Sequence, residues 1–143
     1  MIKAVLDTNV ILDALAARQP FVKEAGELFA LAASERFKGY VTANSVADIY
    51  YLLKRHLKAE AAKEALGHLF SLFSILDVRG TDCLKALGQP GDFEDALLMA
   101  CAGGQGRLDY IVTRDKEFQK TGGPVPVISP GRLLKILKTE NVD

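Results

Sequence analysis

The chain is short of the residues that staple, anchor or arm a protein covalently. Its 143 residues include only two cysteines, Cys83 and Cys101, far apart and without CxxC spacing. Neither a zinc site nor a redox pair is expected from them, and buried free thiols are the better reading. The two histidines, His56 and His68, stand in amphipathic helical contexts without metal-ligand spacing, which gives them surface or half-buried roles. No apolar run approaches the ~18 residues that a membrane helix requires. The start, Met1 to Asp7, enters a strand-like run directly, without the basic region, long apolar stretch and small-residue cleavage site of a signal peptide. A soluble cytoplasmic protein is therefore expected. Phosphate-binding P-loop, HExxH and GxSxG motifs are absent. Gly103-Gly104-Gln105-Gly106 follows a helical stretch, whereas a dinucleotide fingerprint follows a strand. Nucleophilic and nicotinamide-linked chemistries thus lack their residues. An excess of one charge is missing too, because 18 Lys and Arg balance 18 Asp and Glu. Many nucleic-acid binders are strongly basic, so this balance neither supports nor excludes an RNA substrate.

What the chain does have is alternation. Short β-branched runs at Ile2 to Leu6, Gly39 to Thr42, Ser74 to Val78, Tyr110 to Thr113 and Val125 to Ile128 read as strands. Between them, helices are expected over Phe21 to Ala33, Asn44 to His56, Ala59 to Phe73, Thr81 to Leu87, Asp92 to Ala102 and Arg132 to Leu137. The Ala59 to Phe73 helix is expected to bury Ala62, Leu66, Leu69, Phe70 and Phe73, and the Asp92 helix is apolar on nearly every side, as for one lying centrally against a sheet. No repeat or linker divides the sequence, so one domain over residues 1–143 is predicted, large enough to bury roughly 70% of its unfolded surface. Strands separated by helices imply a parallel sheet with right-handed crossovers, helices on both faces, and a ligand site outside the carboxyl ends of the strands.

Four acids sit at the apolar-to-polar junctions of separate segments: Asp7, Asp48, Asp95 and Asp115. The α/β alternation would bring them to one rim, where clustered carboxylates suit Mg²⁺ or Mn²⁺. Each also has a plain structural reading. Asp7, followed by Thr8, Asn9 and an apolar run, can cap a helix. Asp48 can be an early-turn acid favoured by the helix dipole. Asp92 as N-cap with Asp95 three residues on resembles a capping box. Asp115 can cap a short turn over Lys116 to Gln119. Yet Asp95 heads the inward stripe Leu98, Met99 and Ala102, and three acids within four residues exceed what a cap needs. Lys54, Arg55, Arg114 and Lys116 lie near these acids in sequence and would offset their charge.

The chain resembles the PIN-domain family, most closely the toxin nucleases of virulence-associated toxin-antitoxin pairs. The resemblance rests on Val5-Leu6-Asp7-Thr8-Asn9, Val41-Thr42-Ala43-Asn44-Ser45-Val46-Ala47-Asp48, Asp92-Phe93-Glu94-Asp95-Ala96-Leu97, and Ile111-Val112-Thr113-Arg114-Asp115 with Phe118. Each piece is short, and their order and spacing carry the match. The resemblance implies a Rossmann-like three-layer α/β/α sandwich with a central, mostly parallel sheet of about five strands. It further implies a ribonuclease dependent on Mg²⁺ or Mn²⁺, a homodimer, and a small cognate antitoxin in the acidic cleft. Asp7, Asp48, Asp95 and Asp115 take the family's four acidic positions, with Asn9, Asp92 and Thr113 as helpers. Toxin-type members more often place Glu where this chain has Asp48.

RNA hydrolysis by metal-activated water follows, with Asp7, Asp95 and Asp115 as inner ligands and Asp48 as ligand or base. Two other readings stay open. One is a non-catalytic PIN-like domain that binds RNA or a partner protein, in keeping with neutral charge and with Asp48. The other is phosphoryl transfer through an aspartyl nucleophile at Asp7, for which haloacid dehalogenase-like phosphatases usually want a second acid two residues on, where Asn9 stands.

Overall fold

Strand β1, Lys3–Leu6, occupies the middle of the computed structural model, which describes residues 1–106 and 108–140. On one side it pairs with β2, Lys38–Thr42, which pairs with β3, Phe73–Leu76. On the other it pairs with β4, Tyr110–Val112, which pairs with β5, Val127–Ile128. The order is β3-β2-β1-β4-β5 and every pairing is parallel. Such a sheet must be covered on both faces, which is why β1 and β4 are almost wholly apolar.

Side-chain alternation along a strand divides the core in two. Ala4 and Leu6 of β1 and Val112 of β4 enter the larger cluster. That face is covered by α1 (Thr8–Leu15), α2 (Val22–Ala33), α3 (Ala43–Leu53), α4 (Ala59–Leu72) and α8 (Pro130–Thr139), through residues such as Ile11, Leu28, Ile49, Leu69 and Leu133. Val5 and Ile111 point the other way, to Leu98, Cys101 and Ala102 of α6, Phe93–Gly104. Outside α6 packs α5, Gly80–Leu87. The result is the expected three-layer α/β/α sandwich. The chain leaves β1 toward β2 and β3 and later returns to β4 and β5, so the sheet's topological switch lies between β1 and β4, where their carboxyl ends open a crevice.

Several expectations need correction. The first helix, α1, was not foreseen as an element, although the capping reading of Asp7 allowed for it. Phe73 belongs to β3 and not to the preceding helix, because its ring packs 4.9 Å from that of Phe29 and lies over Gly39 of β2. A Cβ built on Gly39 would stand 2.2 Å from the Phe73 ring. Phe70, expected inside, is 41% exposed on α4. Of the two thiols only Cys101 is buried, where burial pushes it up to about 11, while Cys83 is exposed on α5. Among the described residues no helix is long and apolar enough to cross a membrane.

Candidate active site

Asp7 stands where β1 turns into α1, and its two oxygens have different tasks. Oδ1 accepts from the Thr8 amide at 2.8 Å and so caps α1. Oδ2 accepts from the Thr113 hydroxyl at 2.9 Å, and the Asn9 side-chain amide approaches it at 3.5 Å. Thr113 is fully buried just past β4, and its Oγ1 also accepts from Asn9 Nδ2 at 3.1 Å and from the Asp115 amide at 3.1 Å. One hydroxyl therefore ties the ends of β1 and β4 together.

Asp115 caps α7, Lys116–Gln119, with Oδ1 accepting from the amides of Glu117 and Phe118. Asp92 caps α6 in the same way, Oδ2 accepting from the Asp95 amide at 3.0 Å. The capping readings of Asp7, Asp92 and Asp115 are thus correct as local structure. Each cap uses one carboxylate oxygen and leaves the second for other duties, so capping and ligation are compatible on the same residue.

Electrostatics shows which of these acids converge. The Asp7 carboxyl is raised above its usual value, chiefly by burial and further by the charges of Asp115 and Asp92, against the lowering effect of its hydrogen bonds from Thr113 and Thr8. Asp95 is pushed up to about 7, first by burial and then by the charges of Asp92, Asp7, Asp115 and Glu94. Carboxylates raise one another in this way only at short range. The crevice therefore gathers Asp7, Asp92, Asp95 and Asp115. Asp48 is placed differently: it is exposed in the second turn of α3, and its charge is not among those acting on Asp7 or Asp95.

The expected cations do not surround these acids. Lys54 and Arg55 lie beyond the far end of α3, about 16 Å along the helix from its start at the sheet rim. Arg114 turns back from the crevice to Asp13 on α1, with its guanidinium 3.7 Å above the Phe21 ring. Asp13 and its second partner Arg18 form an arrangement that was not anticipated, and its one sequence signal is a lone acid inside the apolar stretch Val10 to Leu15. Lys116 is exposed.

As the side chains stand, no three His, Cys, Asp or Glu among the described residues form a group that could hold a metal ion. The donor set nonetheless suits a divalent cation: its atoms are hard carboxylate oxygens, and two of the acids are raised by burial and by one another's negative charge. From Asp92 and Asp95 a cleft of about 640 Å³ runs along α6, past Met99 and Ala100, to Phe118 and Pro124. Lys85 and Gln89 lie on its lip.

A parallel α/β/α sandwich with four carboxylates at its switch point defines a class of acidic-site domains. The PIN domain profile matches residues 3–117, and the chain belongs to the PIN-domain family. Solved structures agree in fold. VapBC from Salmonella typhimurium bound to DNA is similar at 21% identity and a TM-score of 0.67, over 91% of this chain and 99% of that one. VapBC2 from Rickettsia felis, bound to a DNA fragment from its promoter, is 16% identical with a TM-score of 0.66, over 90% and 98%. VapC20 of Mycobacterium tuberculosis, a toxin that cleaves the sarcin-ricin loop, is 18% identical with a TM-score of 0.66, over 84% and 95%. No curated protein matches this chain in sequence.

Proposed function

We propose that this single PIN domain is a divalent-metal-dependent ribonuclease, the toxin of a toxin-antitoxin pair acting in the cytoplasm. The observation that carries the reading is the gathering of Asp7, Asp92, Asp95 and Asp115 at one crevice, where burial first and then the neighbouring carboxylates push Asp95 up to about 7. Family membership and the likeness in fold to a toxin that cleaves the sarcin-ricin loop support it.

Asp7, Asp95 and Asp115 would hold Mg²⁺ or Mn²⁺, whose chemistry is to acidify water and to offset charge on the phosphate under attack. The remaining work falls to the chain itself. Thr113 and Asn9 fix the Asp7 oxygen that faces them, and Asp92 raises the negative charge felt by Asp95 while holding the first turn of α6. Asp48, exposed on α3, would orient the attacking water and take its proton, a role compatible with that position because a base can act through one bridging water. The cleft beside Asp95 receives nucleotides that flank the scissile bond. Structures solved as VapBC pairs favour a second chain as partner, an antitoxin whose Arg would pair with the carboxylates, and a homodimer is the expected assembly.

Calorimetric titration with Mn²⁺ tests the centre directly. Binding must displace the proton of Asp95, so affinity is expected to fall about tenfold for each pH unit below about 7 and to level off above it. Absence of Mn²⁺ binding at pH 7.5 would reject the metal centre and leave the non-catalytic RNA- or protein-binding reading.

Asp48→Ala separates its role from that of the inner acids. Mn²⁺ affinity is expected to change less than threefold, whereas hydrolysis of a defined RNA falls about 100-fold, within the range for loss of a general base. A large loss of Mn²⁺ affinity would instead make Asp48 a direct ligand.

A further inference from the structure

One buried carboxylate that takes no part in the proposed chemistry is Asp13, 1% exposed on α1 and less than two turns beyond Asp7. It accepts from Arg18 Nε at 2.9 Å through Oδ1 and from Arg114 through both oxygens, the Nη2 contact to Oδ1 measuring 3.2 Å. Both arginines then close on one residue. Arg18 Nη2 donates to the Asn9 carbonyl at 2.9 Å, and the Arg114 backbone amide donates to Asn9 Oδ1 at 3.2 Å. With Oδ1 thus occupied, Nδ2 of Asn9 is turned toward Thr113 Oγ1 and Asp7 Oδ2. The Phe21 ring beneath the Arg114 guanidinium restrains its swing toward solvent.

We propose that Asp13 is a positioning residue for the acidic site: by clamping Arg18 and Arg114 around Asn9 it fixes the orientation of the Asn9 amide and, through it, the Asp7 carboxylate. Desolvating a carboxylate, with part of two guanidiniums, is costly, and a packed apolar residue would fill the same space more cheaply. Most of the other inward positions on α1, Val10, Ile11 and Leu12, are filled that way. What the ion cluster adds is direction. It joins α1 to the residue between Thr113 and Asp115, and thereby sets the two strand ends in register. The same pairing makes Arg18 and Arg114 internal counter-ions of Asp13, not free hands for substrate phosphate.

The effect on catalysis rests on the nuclease reading above, but the effect on Asn9 does not, and the experiment separates them. In the folded, metal-free protein, Asp13→Asn and Arg18→Gln are each expected to shift the Asn9 side-chain amide resonances, measured by ¹⁵N-resolved NMR. If Asp13→Asn fails to fold, Arg18→Gln and Arg114→Gln open the clamp from its half-exposed side. On RNA, Asp13→Asn is expected to lower kcat about 10- to 100-fold, as for groups one step behind a ligand, with KM little changed. Adding Asn9→Ala to Asp13→Asn should cost nothing further, because both act through one amide. Unmoved Asn9 resonances in folded variants would overturn the proposal, and so would rate losses that multiply in the double variant. A wild-type protein that cleaves no RNA would instead defeat the nuclease reading, and the resonance measurement would still decide the clamp.

Discussion

Asp95→Asn is expected to abolish metal-dependent RNA hydrolysis and at the same time to make the metal-free protein more stable. The first effect follows from its place in the crevice. Asn keeps the size and one oxygen but loses the charge that a divalent ion binds, and the loss should exceed the roughly 10- to 100-fold typical of outer partners. The second follows from the sign of its ionisation. The group titrates at about 7 in the folded chain against 3.8 in the unfolded one. Between those values the folded state keeps a proton that the unfolded state has released, so stability falls as pH rises from 3.8 to about 7 and stays low above. Asn cannot ionise and escapes this loss. The melting temperature of the variant minus that of wild type, measured in EDTA, should therefore be positive at pH 8 and shrink toward zero near pH 4. Saturating Mn²⁺ should reverse the ranking, because only the wild type gains binding energy. A variant less stable than wild type at pH 8 without metal would show that burial and the neighbouring carboxylates do not raise Asp95 as described, and full activity in it would remove Asp95 from the site.

Most of the architecture was readable in the sequence because a buried parallel sheet leaves short, wholly apolar runs and its helices leave a 3.6-residue stripe. Acids at the junctions of such runs were equally visible, which is how Asp7 and Asp115 at strand ends and Asp95 at a helix start could be singled out. Long-range pairings left no such trace. Arg114 meets Asp13 across 101 residues of chain, and nothing local tells that its charge turns away from the neighbouring Asp115. Lys54 and Arg55 are close to Asp48 in sequence, yet α3 carries them away from the sheet rim by its own length, so nearness along the chain misled there. Phe73 read as the last residue of a helical stripe, and only the absence of a Cβ on Gly39 explains why its ring closes a strand pair. The helix α1 was hidden because Asp7, Thr8 and Asn9 look like a turn and the following Val10 and Ile11 are β-branched, a composition equally at home in a strand.

Phe118→Ala should have the largest effect on stability and should reach the site through α7. The side chain is 1% exposed and packs with Val5, Leu98, Cys101, Ile111 and Val125 on the α6 side of the sheet. Truncating a buried Phe costs about 3–5 kcal/mol, which for a domain of this size lowers Tm by about 10 °C or more. The functional consequence is separate. With four residues, α7 is too short to persist alone, and Phe118 is its one buried residue. Once that anchor goes, the amides of Glu117 and Phe118 no longer hold Asp115 Oδ1, and the carboxylate loses its fixed direction toward the crevice. Hydrolysis measured well below the new Tm should therefore drop while Mn²⁺ affinity weakens. Phe118→Leu, which keeps most of the volume, should lose little of either. If Phe118→Ala melts early yet binds Mn²⁺ and cleaves RNA at the wild-type rate when folded, Asp115 is oriented by the strand end and Thr113 alone, and α7 serves only to close the core.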